Sequence, residues 1–144
     1  MQPTLENGDI VLVNRLVYNA RMPRRGDVIA FQPGGNEHIH ESIKRIVGVP
    51  GEVIQIKDGS IYINGEQQQE DIYISELGYA GIAEEPLTLQ ENEFFVIGDN
   101  PSSSNDSRMM DVGVVERRYI KGQVWFIASG SEAREIDFGE RIGL

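Results

Sequence analysis

Short apolar runs separated by turn-forming residues dominate the chain. Valine and isoleucine recur within these runs, and glycine, proline, asparagine or aspartate stands between them. This pattern is typical of β-strands, and no stretch has the spacing of an amphipathic helix of three turns. The last predicted strand holds Trp125 and Phe126, which we expect to pack in the core. The predicted strands cover residues 9–13, 27–31, 42–47, 53–56, 61–63, 93–97 and 122–127.

The turn signals and the chain length define the predicted architecture. Asp58 and Gly59 stand between two alternating runs, which predicts a hairpin because glycine readily adopts the positive φ of a tight turn. Residues 66–90 are polar and weakly periodic, which indicates a loop-rich excursion. We therefore predict a single mainly β domain over residues 1–144, with coiled antiparallel sheets or a partly open barrel, little helix, and a small insertion at about 64–92.

Charge and composition narrow the classes of function. The 144 residues include 13 Lys and Arg against 23 Asp and Glu, a formal net charge of −10. Nucleic-acid binding draws much of its affinity from cations that contact phosphates, so we expect no nucleic-acid partner. The absence of cysteine excludes a cysteine nucleophile and a cysteine-ligated zinc. No apolar run reaches the roughly 18–20 residues of a membrane span, so we expect any membrane anchor to lie upstream of Met1.

Lys44 lies within a predicted strand and is a candidate general base. Side chains alternate along a strand, so Lys44 shares a face with Ile46, while Ile43 and Arg45 point the other way. Burial beside an apolar neighbour favours the neutral amine. A lysine that acts as a base near neutral pH needs its pKa lowered from ~10.4 to about 7–8, which burial can supply. The alternative is a lysine at a strand edge whose ammonium reaches solvent.

Two further polar segments leave alternatives open. The stretch 98–108 holds four serines among asparagine, aspartate and proline. It is either a turn-rich loop that bonds to its own backbone, or a loop that presents hydroxyls and carboxylates on a rigid scaffold. His38 and His40 would share one face of an exposed polar strand, but no third metal ligand is identifiable. We therefore expect no metal site, and the absence of a glycine-rich phosphate loop leads us to expect no cofactor.

Four motifs in order resemble those of the type I signal peptidases, which are membrane-bound serine proteases with a Ser/Lys dyad. The family patterns are Ser-Met-x-Pro-Thr-Leu followed by Gly-Asp, then Arg-Gly-Asp-Val, then Lys-Arg-hydrophobic-x-Gly-x-Pro-Gly-Asp, then Gly-Asp-Asn-x3-Ser-x-Asp-Ser-Arg. Glu52 replaces one aspartate, and Pro101 stands where the family usually has arginine. The resemblance covers nearly the whole chain and implies a partly open β-barrel of the signal-peptidase type. The matches lie at residues 1–5 with 8–9, 25–31, 44–52 and 98–108.

The resemblance implies a role for each matched polar residue. Lys44 is the expected general base, and Ser104 is expected to hydrogen-bond to its amine and orient it. Ion pairs are expected to hold the loop that carries Ser104. The expected pairs join the aspartates Asp99 and Asp106 to the arginines Arg45 and Arg108.

The resemblance also implies where a substrate would bind. An extended peptide is expected to lie beside residues 41–44. Apolar side chains there are expected to wall shallow pockets for small residues, as in an Ala-x-Ala cleavage site. The residues expected to contact substrate are Met1, Gln2, Pro3, Leu5, Ser42 and Ile43.

The implied function is removal of signal peptides from secretory preproteins at the extracytoplasmic face of the bacterial cell membrane. The family's nucleophilic serine would directly precede Met1, so we expect the 144 residues alone to be inactive. One alternative is a natural, catalytically inactive relative that binds peptides or partners, and the residue before Met1 distinguishes the two. Another is a repressor-type self-cleaving domain joined to a DNA-binding module. The Gly-Asp-Asn and Pro-Gly motifs and the lack of a basic module disfavour it.

Overall fold

The fold is mainly antiparallel β, as predicted, in a computed structural model that describes residues 1–69, 77–129 and 132–135. All seven predicted runs form strands, with bounds that differ from the prediction by no more than two residues. The described strands are β1 (Ile10–Asn14), β2 (Val28–Phe31), β3 (Ser42–Gly48), β4 (Val53–Lys57), β5 (Ser60–Ile63), β6 (Glu66–Gln67), β7 (Leu87–Thr88), β8 (Glu93–Ile97), β9 (Val115–Glu116), β10 (Ile120–Ser129) and β11 (Glu132–Glu135).

Helical structure is scarce, as the sequence predicts. The single α-helix among the described residues is α1 (Val17–Ala20). None of the described helices is long and apolar enough to span a membrane. The 3₁₀ turns are Pro33–Gly35, Gly81–Ala83, Pro101–Ser103 and Arg117–Tyr119.

The larger sheet has seven strands in the order β1-β10-β2-β3-β8-β9, and β11 pairs with β10. β2 pairs with β3 in the register Phe31↔Ser42 to Val28↔Arg45. β8 pairs with the other side of β3 only from Arg45 onward. Residues 42–44 therefore have a strand partner on one side alone within the described part of the chain. This leaves an open edge next to Lys44.

The second sheet has four strands in the order β6-β5-β4-β7. The predicted hairpin is confirmed, since β4 and β5 pair through Lys57↔Ser60 and both Asp58 and Gly59 have positive φ. Two of its strands precede the predicted insertion at about 64–92, whose status as a separate unit stays a prediction. The described residues form no closed barrel.

Two apolar clusters lie on opposite faces of β2, whose four residues are all buried. Ile29 and Phe31 pack with Ile46 and Phe94 on one face, while Val28 and its neighbours form the other cluster. A strand buried on both faces is held firmly by packing. Because Lys44 pairs directly with Ile29, the candidate base lies beside the best-packed strand of the sheet.

A third apolar cluster joins the two sheets. Ile54 and Ile56 of the second sheet pack with Val47, Phe95 and Ile97 of the first. All five side chains are buried. The second sheet is therefore anchored to β3 and β8, the strands that lead to Lys44 and to the 98–108 loop.

Two sequence predictions are wrong, one about the packing of Trp125 and one about the backbone around His38 and His40. Trp125 is 51% exposed, because the alternation of β10 turns its neighbour Val124 inward and Trp125 outward. The side chain of Phe126 lies outside the described residues. The exposed polar strand predicted around His38 and His40 is instead a turn, since the Gln32 amide donates hydrogen bonds to two carbonyls of this segment.

Candidate active site

Lys44 lies on β3 at the open edge, and its amine is partly removed from solvent. Desolvation lowers the pKa of Lys44 below its ordinary value, and Arg108 acts in the same direction. The carboxylates of Asp106 and then Asp99 raise the pKa, but they do not offset the desolvation. The site therefore favours the neutral form of the amine more than bulk solvent does, and that form has a lone pair that can accept a proton.

Ser104 and the stem of Lys44 both flank Gly98, and the space between them exists because residue 98 is glycine. A Cβ added to Gly98 would lie 2.2 Å from Ser104 Oγ and 3.6 Å from Lys44 Cδ. The buried Ser104 hydroxyl makes no hydrogen bond to any described residue, so the bond predicted between Ser104 and the Lys44 amine is not formed in this structure. The structure nevertheless brings the two side chains together.

Gly98 is a site residue that the sequence predictions missed. Its signal was a glycine directly after the buried run of β8, at the start of a matched motif. Position alone did not reveal that Ser104 and Lys44 converge on it. A side chain at position 98 would displace Ser104, because real Cβ atoms do not approach other atoms to 2.2 Å.

Arg45, the residue directly after Lys44, forms a buried ion pair with Asp99. Arg45 Nε donates to Asp99 Oδ1 at 2.9 Å, and Nη2 donates to Oδ2 at 2.8 Å. Arg45 Nη1 also donates to the Gly26 carbonyl at 3.0 Å. Both side chains are almost completely buried. This two-bond geometry fixes the start of the 98–108 loop against β3.

Asp106 and Arg108 form a second buried pair at the other end of the loop. Arg108 Nε donates to Asp106 Oδ1 at 2.8 Å, and its Nη2 donates to Oδ2 at 3.0 Å. Asp106 Oδ2 also accepts the Gly98 N–H at 3.1 Å. The Pro101 carbonyl accepts from Arg108 Nη2 at 2.7 Å. The two ends of the loop are thus tied to each other on either side of Ser104.

The N-terminal segment reaches the same loop. The hydroxyl of Thr4 donates a hydrogen bond to Asp99 Oδ2. Desolvation and then the electrostatic interaction with Lys44 lower the pKa of the Met1 amino group, while Asp99 raises it. The backbone nitrogen of Met1 therefore lies within electrostatic reach of Lys44.

Three of the predicted substrate-contacting residues lie together in the structure. Met1, Leu5 and Ile43 are partly buried and pack against the apolar cluster around Val28. Gln2 and Pro3 are exposed, with a cis bond between them, and Ser42 is half-buried opposite Phe31.

Metal-ligating side chains do not cluster in the part of the chain that the structure describes. No group of three or more histidine, aspartate or glutamate residues there could hold an ion. The carboxylates of the candidate site each pair with an arginine.

The sequence and the fold both match known signal peptidases. The model of the family described as "Signal peptidase, peptidase S26" matches residues 1–129. Signal peptidase I of Leptolyngbya laminosa is 36% identical over 129 residues, which cover 85% of this chain and 61% of that protein. Signal peptidase I T of Bacillus subtilis (strain 168) is 34% identical over 138 residues, which cover 88% of this chain and 68% of that protein.

A solved structure shares the fold. The crystal structure of a signal peptidase I from Enterococcus faecalis V583 is similar with a TM-score of 0.55 and 30% identity, over 72% of this chain and 97% of that chain. The chain spans 61% of the length of the Leptolyngbya relative. With most of its residues matched by the family model, the chain belongs to the peptidase S26 family of signal peptidases.

Proposed function

We propose that Lys44 is the general base of a serine endopeptidase that removes signal peptides from secretory preproteins. The observation that carries this proposal is the desolvated amine of Lys44, which lies within electrostatic reach of the Met1 backbone nitrogen and whose stem flanks Gly98 together with Ser104. A lysine with a lowered pKa can take a proton from a hydroxyl near neutral pH. Family membership supports the same chemistry.

The nucleophile in this proposal is a serine joined directly to Met1. Such a residue would extend from a nitrogen that is already within electrostatic reach of Lys44. As the serine Oγ attacks the scissile carbonyl carbon, Lys44 accepts its proton, and the resulting ammonium returns that proton to the leaving amine as the peptide bond breaks. Lys44 then takes a proton from a water molecule as the water oxygen attacks the acyl carbon, and the ammonium returns this proton to the serine Oγ as the ester bond breaks, which releases the acid and regenerates the serine and the neutral amine. The 144 residues alone, which lack this serine, are expected to cleave nothing.

The surrounding residues would orient Lys44 in this mechanism. The unpartnered hydroxyl of Ser104 and the stem of Lys44 both flank Gly98, so this hydroxyl would hydrogen-bond to the amine when the amine turns towards it. The Arg45–Asp99 and Arg108–Asp106 pairs would keep the Ser104 loop in place during turnover. Fixed supporting groups of this kind reduce the reorganisation that catalysis requires.

The substrate would add a strand to the open edge of β3. Among the described residues, 42–44 pair with a strand on one side only, so their outward backbone groups would bind an extended peptide. Met1, Leu5 and Ile43 would wall shallow pockets that accept small side chains, consistent with an Ala-x-Ala cleavage site. This arrangement would place the scissile bond next to Lys44.

We place the full-length protein at the extracytoplasmic face of the bacterial cell membrane, held by an anchor upstream of Met1. Secretory preproteins emerge at that face, so the proposed substrates would be available there. The net charge of −10 gives no support to a nucleic-acid partner.

The test compares cleavage of a secretory preprotein by the chain with and without a serine placed before Met1. We expect cleavage after a small residue only with the serine, and loss of that cleavage in Lys44→Met. Lys57→Met is the matched control, because Lys57 is an exposed lysine of β4, and it should retain full activity. Activity that survives Lys44→Met would contradict the general-base role. A serine-bearing chain that binds the preprotein without cleaving it would instead identify an inactive, peptide-binding relative.

A further inference from the structure

Residues 77–83, which lie between β6 and β7 in the chain, contact the loop that carries Ser104. Both ends of this segment are fixed in the core between the sheets, where Leu77 and Ala83 are buried. The Leu77 N–H also donates to the Gly59 carbonyl at 3.1 Å, which ties it to the β4–β5 hairpin. We call residues 77–83 the latch segment.

The middle of the latch segment binds Arg108 from two directions. Arg108 Nη1 donates to the Tyr79 carbonyl at 3.2 Å, and the Ile82 N–H donates to the Arg108 carbonyl at 3.0 Å. The same arginine pairs with Asp106, which accepts the Gly98 N–H. A continuous set of bonds therefore connects the latch segment to the glycine where Ser104 and Lys44 meet.

Gly81 is the residue of the latch segment at which an added side chain would meet the backbone of Arg108. Its φ is +58°, a left-handed conformation that favours glycine. A Cβ at this position would lie 1.9 Å from the Arg108 carbonyl oxygen and 2.7 Å from its carbonyl carbon. Those atoms are backbone, so a side chain at position 81 would have to move either the latch segment or the end of the Ser104 loop.

We infer that Gly81 is a positioning residue, which lets the second sheet hold the Ser104 loop in register with Lys44. The segment around it thus has a role beyond joining strands, since it closes onto Arg108 and through Asp106 onto Gly98. The kinetic consequence of this inference rests on the proposed peptidase function, whereas the structural consequence does not.

The kinetic experiment compares Gly81→Ala with Gly34→Ala in the chain that carries a serine before Met1. Gly34 has a nearly identical φ of +56°, but an added Cβ there meets nothing within 4 Å. The two variants therefore share the backbone strain, and only Gly81→Ala displaces the loop. A misplacement of about 1 Å costs on the order of 100-fold in rate. We expect kcat to fall by about that factor with little change in KM in Gly81→Ala, and by less than about threefold in Gly34→Ala.

Amide hydrogen exchange tests the same inference without any catalytic assay. We expect the Gly98 and Ser107 amides to exchange at least about tenfold faster in Gly81→Ala than in Gly34→Ala. A second pair avoids the clash altogether: Leu77→Ala loosens the latch segment, while Ile63→Ala removes a similarly buried side chain of the same cluster. Only Leu77→Ala should speed exchange at these two amides.

The outcomes separate the inference from the proposed function. Equal exchange and equal kcat within each matched pair would overturn the latch. Faster exchange in Gly81→Ala and Leu77→Ala, in a chain that cleaves no preprotein even with the serine, would support the latch and refute the peptidase proposal.

Discussion

The Arg45–Asp99 pair offers the sharpest test of how the site is held together. Asp99→Asn keeps the shape of the side chain but removes its charge, so the buried guanidinium of Arg45 loses the carboxylate that binds it through two hydrogen bonds. Arg45 is 1% exposed and Asp99 is 3% exposed, so solvent can replace little of the lost interaction. Breaking such a pair costs about 3–5 kcal/mol of folding free energy.

The expected magnitude lies at the low end of that range. The asparagine carbonyl can still accept one of the two hydrogen bonds from Arg45, and the Gly26 carbonyl keeps its own bond to the guanidinium. We therefore expect a loss of about 3 kcal/mol in the free energy of unfolding. For a chain of this size, this corresponds to a decrease of roughly 10 °C in the thermal midpoint.

The assay is urea unfolding at pH 7, with Glu116→Gln as the matched control. Glu116 also pairs with an arginine, but that pair is exposed, and the same acid-to-amide change should cost under about 1 kcal/mol. Replacing Arg45 by methionine together with Asp99→Asn should recover at least half of the loss, because neither of these two buried positions then carries a charge. A similar loss in Asp99→Asn and Glu116→Gln, or no recovery in the double variant, would refute the reasoning.

Three further predictions concern the groups around Lys44. Gly98→Ala should lower kcat at least about 100-fold in the serine-bearing chain, because its Cβ would take the space of Ser104 Oγ; a change under about threefold in steady-state kinetics would contradict this. Ser104→Ala should leave the free energy of unfolding, measured in urea, unchanged or raised, because the Ser104 hydroxyl is buried without a hydrogen bond. Ser107→Ala should lower it by about 1–3 kcal/mol, because the Val96 N–H then loses its acceptor. Equal losses in the two variants would contradict this prediction. The folded-state pKa of Lys44 is lowered, so between that pKa and 10.5 the unfolded chain binds more protons than the folded chain. The free energy of unfolding of the chain with Lys44 should therefore rise with pH in this window relative to that of Lys44→Met. Parallel curves of unfolding free energy against pH for the two chains would contradict this prediction.

The local pattern of apolar residues was enough to predict the strands and the side of β3 from which Lys44 projects. Alternation is a property of a few consecutive residues, so the runs around Ile46 and Phe94 indicated strands without any tertiary information. The same rule predicts a core position for Trp125, which is exposed. Burial depends on what covers a face, which is not a local property.

The site required tertiary information at three points. The open edge at residues 42–44 arises because β8 pairs with β3 only from Arg45 onward, and register is not visible in the composition of either strand. The convergence of Ser104 and Lys44 on Gly98 depends on the path of a loop. The contact of Gly81 with Arg108 joins residues that are far apart in the sequence. The motifs marked most of these residues without indicating their contacts.

The central claim is that a neutral Lys44 accepts the proton of the attacking serine. The most direct measurement is the pKa of the Lys44 amine, obtained by NMR titration of lysine labelled at Cε in the serine-bearing chain, together with the pH profile of kcat/KM. The profile reports the pKa of the essential base in the free enzyme. We expect both values to agree and to lie clearly below the ordinary 10.5. A Lys44 that titrates at its ordinary pKa, or an acid limb of kcat/KM that does not match its titration, would contradict it.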